Sequence, residues 1–501
     1  MVDILLAHSY YLKYDARQAE KMRPYPPLAT LYAAAALREA GYSVALFDAM
    51  LSEGEQEFEA AVQQHQPRFV ALYEDSFNFL VKMCLTRMRA AAQRMSEAAR
   101  DQGATVIAAG PDVSDHPDLY LQHGVHYAIL GEADHTLRAL LDLLSGRQGR
   151  YLLEIAGLAW SDPHAPEGIF RTARRLPERR LDTFPMPAWD LLDVERYRAA
   201  WKQAHGIFSL NMVTTRGCPY HCNWCAKPIW GQHYAMRSPE SVAAEMATLK
   251  TTLKPGHIWF ADDIFGLRPD WVVAFGEAVQ ARDAALPFTI QSRADRMTDA
   301  AVTALAQAGC QEVWLGAESG SQKILDAMEK GLQVAEIVEA RSRLKAAGIA
   351  TGFFLQVGYP GETFEDILAT VQLVRDCLPD QIGVSVSYPL PGTPFHEKVK
   401  AQLGSKTNWV DSGDLAMMFQ GTYRSGFYRH LHQLLHRDLD LRKRLAAGLP
   451  DAGTLKALDQ LTSAWLELGR LETQARSVTP TRIVRSNGHT PAPDLSRDWS
   501  G

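Results

Sequence analysis

The sequence of 501 residues predicts an α/β protein with two successive parallel-sheet units and a helical C-terminal region. Short apolar strands alternate with amphipathic helices up to about residue 145, and the same alternation resumes from 206 to about 395. Beyond residue 396, apolar residues recur at a spacing of three to four, which is typical of helices. A chain of this length is expected to form two or three domains.

The first unit, residues 1–145, is expected to be a doubly wound parallel sheet. Its strands are predicted at 2–7, 42–48, 69–73, 105–109 and 127–130, with helices at about 28–40, 53–65, 80–102 and 134–144. Such sheets bind ligands at the carboxyl ends of their strands. The candidate binding residues at those ends are Ser76, Gly110, Pro111, Gly131 and Glu132.

Residues 146–205 are expected to form a β-hairpin, over 151–176, and a proline-rich linker. The run from Arg171 to Arg180 is locally basic, and we interpret it as a solvated hairpin edge.

The second unit, residues 206–395, repeats the strand–helix alternation six times. Its strands are predicted at 210–215, 257–261, 287–291, 312–317, 350–357 and 382–388, with helices at about 239–253, 270–284, 298–308, 321–346 and 364–377. Residues 396–476 are expected to be a helical cap with helices at 427–446 and 455–472. The tail, 477–501, is rich in Ser, Thr, Pro, Arg and Asp and is expected to be disordered.

Cys218, Cys222 and Cys225 follow the first strand of the second unit with the spacing C-x3-C-x2-C. Iron–sulfur clusters normally take four thiolates, but the remaining cysteines are single and scattered. The alternatives are a zinc site, which would need a fourth Cys or His, and three unrelated core cysteines. Three cysteines within eight residues, from six in the chain, favour a cluster with one open iron.

The overall charge of -6 and the absence of a dense basic tract argue against a nucleic-acid partner. No apolar run approaches the roughly 18 residues of a membrane span, and no signal peptide is recognised. Few cysteines, mostly clustered, are typical of a reducing cytoplasm, where we expect the protein.

The cysteine motif resembles that of the radical S-adenosylmethionine (SAM) superfamily. Residues 1–145 resemble the cobalamin (B12)-binding domain that precedes it in one subfamily, which includes radical SAM methylases and the anaerobic magnesium-protoporphyrin monomethyl ester cyclase. The resemblance implies a flavodoxin-like first domain, a partial (β/α)6 barrel and three cofactors: a [4Fe-4S] cluster on the three cysteines, SAM on the open iron, and cobalamin.

The resemblance also implies roles for residues at the strand ends of the second unit. Asp262 and Asp263 would receive the SAM amino group, although they could equally cap a turn. Arg293 would hold the SAM carboxylate, or else be a structural ion-pair partner of Asp295 or Glu318. Glu318 would meet the ribose, and Gly358 would let the backbone approach the adenosyl group.

For cobalamin, the resemblance points to Ser76, Gly110, Pro111, Gly131 and Glu132. The D-x-H-x-x-G signature that supplies a cobalt-ligating His does not occur in the chain. We therefore expect cobalamin with no protein imidazole below cobalt. The alternative is a domain that keeps the fold without the cofactor.

The implied reaction starts when the reduced cluster cleaves SAM, which gives a 5′-deoxyadenosyl radical that abstracts hydrogen from an unactivated carbon. The expected outcome is methyl transfer, with a cobalamin-dependent radical cyclase or rearrangement enzyme as the alternative. A non-catalytic cofactor-binding or sensor protein is an alternative of another class. We expect a small-molecule substrate, with hydrophobic ones conceivable, and an electron donor such as flavodoxin or ferredoxin. No catalytic residue is assigned.

Overall fold

The computed structural model describes residues 1–82, 86–148, 151–227, 229–404, 415–448 and 452–475. The tail predicted over 477–501 lies outside these residues. Within them, every helix is either too short or too polar to cross a membrane.

The first sheet has seven strands in the order β2-β1-β3-β4-β5-β6-β7. The elements of this part, in chain order, are β1 (Ile4–Ala7), α1 (Ala16–Lys21), α2 (Leu28–Glu39), β2 (Val44–Phe47), α3 (Glu55–His65), β3 (Phe69–Tyr73), α4 (Phe79–Lys82), α5 (Thr86–Asp101), β4 (Thr105–Ala109), α6 (Pro111–Asp115), α7 (Pro117–Leu121), β5 (Tyr127–Ile129), α8 (Asp134–Leu144), β6 (Leu158–Ser161) and β7 (Ile169–Arg171).

Strands β1 to β5 are parallel, and the chain order reverses between β1 and β3 as in a doubly wound sheet. All residues of β1 and β3 are buried, because helices cover both faces of a parallel sheet. This explains why the strands are continuous apolar runs that the sequence pattern predicts.

The predicted hairpin is present, and it extends the first sheet. Strand β6 pairs antiparallel with β5, and β7 pairs antiparallel with β6. The hairpin, which the sequence grouped with the linker in 146–205, is therefore part of the first sheet.

An unpredicted helix, α9 (Val194–His205), connects the two units. Its Trp201 donates from Nε1 to the backbone oxygen of Pro24 at 2.6 Å. Its Tyr197 donates to Oδ2 of Asp48, at the end of β2, also at 2.6 Å. The connector is thus packed on the first unit.

The second sheet has six parallel strands in the order β15-β14-β13-β12-β11-β8, with β8 and β15 at its two edges. This open arc fits the predicted partial barrel of six βα units. The elements are β8 (Ser209–Met212), β9 (Thr215–Arg216), β10 (Ala235–Met236), α10 (Pro239–Thr252), β11 (His257–Phe260), α11 (Pro269–Ala281), β12 (Phe288–Ser292), α12 (Asp299–Ala308), β13 (Cys310–Glu318), α13 (Gln322–Ala327), α14 (Val334–Ala346), β14 (Ala350–Val357), α15 (Phe364–Cys377) and β15 (Gln381–Val386).

The single helix predicted over 321–346 is wrong. The structure breaks it into α13 and α14, with Glu329 and Gly331 at φ angles of 54° and 59° in the left-handed region between them. The break turns Lys330 into the interior, where it pairs with Glu318. Gly331 is a local helix breaker, but the apolar spacing stays helical across the break, and the long-range pair of Lys330 with Glu318 accompanies it.

The C-terminal region contains α16 (Pro394–Leu403), which was not predicted, α17 (Ser425–Ala447) and α18 (Ala452–Ala475). Asp438 of α17 joins three helices, because it binds Arg375 of α15 at 2.5 Å and accepts from Nε1 of Trp465 of α18 at 2.9 Å. The two helices predicted for the cap are present and pack against the second unit.

Candidate functional site

The three motif cysteines lie in a loop, residues 217–234 without the undescribed 228, that we call the cysteine loop. Its ends are held together because β9 pairs antiparallel with β10, with Arg216 opposite Ala235. Gly217 begins the loop at φ +78°, and a Cβ there would collide with the backbone oxygen of His233. A glycine is therefore required at this closure.

The three thiols are partly exposed, unbridged and close to one another. Burial raises the pKa of Cys225 to about 12, and the neighbouring Cys222 and Cys218 add to the rise. Burial also raises the pKa of Cys218 above its ordinary value, with Asp263 contributing. The indole Nε1 of Trp224, buried between two of the cysteines, has no hydrogen-bond partner among the described residues.

This donor set fits an iron–sulfur cluster. In the described part of the chain, no three His, Cys, Asp or Glu side chains converge as ligands of a single metal ion. A cluster does not need such convergence, because each thiolate binds a different iron. The unpartnered indole N–H of Trp224 fits this chemistry, because hydrogen bonds to the sulfurs tune the reduction potential of such clusters.

Asn223, which the sequence reasoning missed, anchors the cysteine loop to the second unit. Its Nδ2 donates to the backbone oxygen of Ala327 at 2.9 Å, and its Oδ1 accepts from the hydroxyl of Tyr359 at 2.9 Å. Its backbone N–H donates to the oxygen of Met328 at 3.0 Å. An Asn between two cysteines gives no distinctive sequence signal.

The two predicted aspartates occupy different environments. The buried carboxylate of Asp262 accepts from the backbone N–H and hydroxyl of Thr214, both at 2.7 Å, and from those of Thr215 at 2.8 and 3.0 Å. Burial raises its pKa to about 6, although these four bonds favour the ionised form. Asp262 therefore fixes the turn that leads into the cysteine loop, whereas Asp263 lies near Cys218 and Cys225.

Arg293 is also committed to structural contacts. Nε lies 3.0 Å from Oδ1 of Asp295, and the two Nη atoms each donate at 2.8 Å, to the backbone oxygens of Lys330 and Gly331. Its guanidinium stacks 3.8 Å from the ring centre of Tyr220 in the cysteine loop. The ion pair with Asp295, which the sequence left as an alternative, is the one observed.

Lys330, which the sequence reasoning missed, is a buried cation beside the cysteine loop. Its Nζ lies 2.8 Å from Oε1 of Glu318, and both side chains are less than 10% exposed. Burial lowers the pKa of Lys330, but the Glu318 and Cys222 charges outweigh it, and the pKa ends above its ordinary value. Glu318 has a φ of +60°, so the backbone is strained where this pair forms.

Gly358 faces the helical cap. A Cβ on this residue, which has a φ of +79°, would lie 3.1 Å from Sδ of Met417 and 3.2 Å from the ring of Tyr428. The space that glycine leaves is thus filled by cap side chains, although the sequence suggested close approach of a ligand. The adjacent Glu362 accepts from the N–H of Gly358 at 2.7 Å.

A crevice at the carboxyl edge of the first sheet brings together four of the five residues predicted for cobalamin. Its lining residues come from both units and are Ala29, Tyr73, Glu74, Ser76, Phe77, Ala109, Gly110, Gly131, Glu132, Ala133, Asp134, Arg216, Ile229 and Trp230. Pro111 instead begins α6 and is buried. Of the lining residues, Arg216 directly precedes the cysteine loop, and Ile229 and Trp230 belong to it.

Different structural constraints require glycine at the two predicted glycine positions of the crevice, Gly110 and Gly131. A Cβ on Gly110 would lie 2.6 Å from Cβ of Glu74, so this position is set by packing. Gly131 has a φ of +80°, and a Cβ there would make ordinary van der Waals contact with the backbone oxygen of Ile229 at 3.8 Å, so its left-handed backbone is the reason for glycine.

Glu132 joins the two units. Its Oε1 accepts from Nη1 of Arg216 at 2.5 Å and from Nε1 of Trp230 at 3.1 Å, and its Oε2 accepts from the N–H of Glu178 at 2.6 Å. Arg216 also pairs with Asp134 at 2.9 Å. Both carboxylate oxygens of Glu132 are occupied by protein donors, so it acts as an interdomain contact.

Two family models match the chain. Residues 22–141 match the B12 binding domain, and residues 212–374 match the Radical SAM superfamily.

Known proteins similar to the chain include two relatives and one solved structure. An uncharacterized methyltransferase, PH0819, of Pyrococcus horikoshii is 28% identical over 297 residues, which are 58% of this chain and 62% of that protein. The anaerobic magnesium-protoporphyrin IX monomethyl ester cyclase of Rubrivivax gelatinosus is 25% identical over 86% of this chain and 79% of its own. The radical SAM methyltransferase TsrM of Kitasatospora setae, solved with cobalamin and a [4Fe-4S] cluster, has a similar fold, with a TM-score of 0.65 at 20% identity over 81% of this chain and 76% of its own.

Proposed function

The chain combines a B12-binding domain with a radical SAM domain, and we propose that it is a cobalamin-dependent radical SAM enzyme that transfers a methyl group to an unactivated carbon of a small molecule. We assign the hairpin to the first domain, because β6 and β7 extend its sheet. The other expected boundaries, at about 206, 395 and 476, are retained.

One observation carries the proposal: the crevice of the first unit is bordered by the cysteine loop of the second. Arg216, which directly precedes Gly217 and Cys218, lines the crevice together with Ile229 and Trp230. A methyl carrier bound in that crevice therefore lies beside the site where SAM would be cleaved. Proximity of the two groups is what a combined reaction needs.

Cys218, Cys222 and Cys225 hold the [4Fe-4S] cluster in this proposal, and Asp263 receives the amino group of SAM. We prefer Asp263 to Asp262 because all four bonds of Asp262 go to Thr214 and Thr215. Asp262 then serves as a positioning residue for the loop.

Lys330 is our candidate for the carboxylate of SAM. Its ammonium has three donors, and Glu318 takes one of them. Lys330 lies two residues after Met328, whose backbone oxygen accepts from the N–H of Asn223 in the cysteine loop at 3.0 Å. Arg293 shapes this subsite by holding the backbone of Lys330 and Gly331, and Glu318 orients the lysine and remains a candidate for the ribose.

Ser76, Gly110 and Gly131 line the proposed cobalamin site. When bound, the cluster, SAM and cobalamin supply reductive cleavage and methyl transfer, and the chain supplies orientation and exclusion of water. The interdomain contacts of Glu132 keep the two cofactor sites together.

The substrate is proposed to be a small molecule that enters beneath the helical cap. A hydrophobic substrate remains an expectation from the sequence, because Met418 and Phe419 are buried in the core and Met417 packs against it. An electron donor such as flavodoxin or ferredoxin and a reducing cytoplasmic location are part of the same proposal, because the cluster must be reduced for each radical event.

The proposal is tested by product analysis on protein purified without oxygen and reconstituted with iron, sulfide and hydroxocobalamin. We expect about four irons and one cobalt per chain. On reduction with SAM we expect 5′-deoxyadenosine and S-adenosylhomocysteine, which report radical cleavage and methyl transfer. The Cys222→Ala variant should form no 5′-deoxyadenosine.

The same assay separates the alternatives. Formation of 5′-deoxyadenosine without S-adenosylhomocysteine would favour the cyclase or rearrangement enzyme. Neither product from fully loaded protein would favour the non-catalytic sensor, and iron without cobalt would contradict the cobalamin assignment.

A further inference from the structure

A short segment beside the cysteine loop contains five arginines, four of them exposed. Between Arg171 and Arg180 the sequence has five arginines and one glutamate, a net charge of +4 in ten residues, whereas the whole chain carries -6. We call Arg171, Arg174, Arg175, Arg179 and Arg180, together with Leu176, the arginine face. Four of the five arginines are exposed, and Leu176 between them is 75% exposed.

Part of this charge is not neutralised locally. Among the described residues, Arg174 and Arg179 have no carboxylate within ion-pair distance, and the pairs of Arg171 and Arg180 are long, at 3.7 and 3.8 Å. Exposed pairs of this length are worth little. The arginine face thus presents a positive field to solvent around an apolar centre, a composition that suits a docking surface.

The arginine face touches the cysteine loop. An Nη of Arg174 lies 3.6 Å from the position of a Cβ on Gly231, six residues after Cys225. The N–H of Glu178 donates to Glu132 at 2.6 Å, and Glu132 binds Arg216 and Trp230 on the two sides of the cysteines.

We propose that the arginine face docks an acidic one-electron carrier protein, which delivers the electron that reduces the cluster. This inference rests on the proposed function, which requires such an electron. The step is a single transfer: the carrier loses one electron, the oxidised cluster gains it, and no bond is made or broken. Positive charge around the entry point would speed association with an acidic partner, an effect of about 10- to 1,000-fold.

A charge reversal with a matched control tests the proposal. The test variant is Arg174→Glu/Arg179→Glu. The control is Arg282→Glu/Lys345→Glu, which reverses two exposed charges elsewhere on the second unit. The probe is a purified acidic flavodoxin: its oxidised form is used for equilibrium binding, and its fully reduced form is used to follow bleaching of the cluster absorbance.

We expect the test variant to bind flavodoxin at least about tenfold more weakly than the control at low salt. Cluster reduction by flavodoxin should slow by a similar factor, whereas reduction by dithionite should stay equal in both variants. Raising the salt concentration should remove the difference in flavodoxin binding between the test and control variants, because salt screens exposed charges.

Equal flavodoxin binding by the two variants would overturn the proposal, as would a rate difference that also appears with dithionite. Selective loss of binding to a duplex oligonucleotide, with flavodoxin binding retained, would assign the surface to nucleic acid instead. The binding measurement does not need the cluster, so absence of any cluster would contradict the proposed function and leave the test of the docking surface intact.

Discussion

Arg216 and Glu132 meet across the two units, with Nη1 of Arg216 2.5 Å from Oε1 of Glu132 and both side chains almost fully buried. Without Glu132, Arg216 keeps its pair with Asp134 at 2.9 Å, so the expected cost lies at the lower end of that for breaking a buried pair. We expect Glu132→Gln to lower the free energy of unfolding by about 3 kcal/mol, as measured by urea denaturation of the apoprotein. The control is Asp190→Asn, which removes an exposed pair with Arg38 and should cost less than about 1 kcal/mol. Equal losses of unfolding free energy in the two variants would show that the buried pair of Glu132 stabilises the fold no more than an exposed pair does.

Replacement of Cys218, Cys222 or Cys225 by Ala is expected to abolish the cluster, because each of the three thiolates is proposed to hold one iron. Iron and sulfide analysis after anaerobic reconstitution measures the loss. Cys310→Ala and Cys377→Ala are controls, since both residues are buried away from the loop, and they should retain about four irons. A cluster retained in any of the three loop variants would contradict the ligand assignment.

Lys330→Gln is expected to weaken SAM binding by about 10- to 100-fold, the range for loss of a hydrogen bond to a charged group. Isothermal titration of the cluster-loaded protein measures the dissociation constant, and iron analysis checks that the cluster is retained. The control is Lys323→Gln, which should bind SAM with the affinity of the parent protein. Lys323 lies on α13, is half-exposed and pairs with Asp366 of α15. Unchanged affinity of the Lys330 variant with a full cluster would remove this residue from the site.

Glu362 should make stability depend on pH. Burial raises its pKa from 4.5 to about 8, so the folded state holds a proton that the unfolded state releases. Its contribution to stability is therefore largest below pH 4.5 and is lost as the pH rises towards 8. We expect the Tm of Glu362→Gln, relative to the parent protein, to increase between pH 5 and pH 9.

The exposed Glu365 provides the control for that measurement. The Tm difference between Glu365→Gln and the parent protein should stay constant over the same pH range. If the Tm difference between Glu362→Gln and the parent protein were also constant with pH, the carboxyl group of Glu362 would not have the raised pKa.

The sequence predicted the strands well because both sheets are covered by helices, so their strands are short, nearly continuous apolar runs. Strands β3, β4 and β14 coincide with the predicted ranges. Helix α9 was missed because it lies in a segment dominated by proline signals. The break between α13 and α14 was missed because a buried ion pair, not a local breaker alone, holds it open.

Within the candidate site, the three cysteines were predictable because their spacing is itself the signal. The roles of Asp262 and Arg293 were not, because their partners lie elsewhere in the chain: Thr214 is 48 residues from Asp262, and Lys330 is 37 residues from Arg293. Nothing in the strand-end motifs shows which of two adjacent aspartates turns toward the cysteines.

By itself, the sequence determined the order of the two α/β units, their parallel strands and the three-thiol motif, because apolar periodicity and ligand spacing are local properties. Only the tertiary structure decided that the cysteine loop borders the crevice of the first unit, that Lys330 enters the interior, and that an arginine-rich hairpin edge lies against that loop. Each of these depends on contacts between distant segments, such as Arg216 and Glu132, which are 84 residues apart. Burial and charge pairing select such contacts when the chain folds, and no local pattern encodes them.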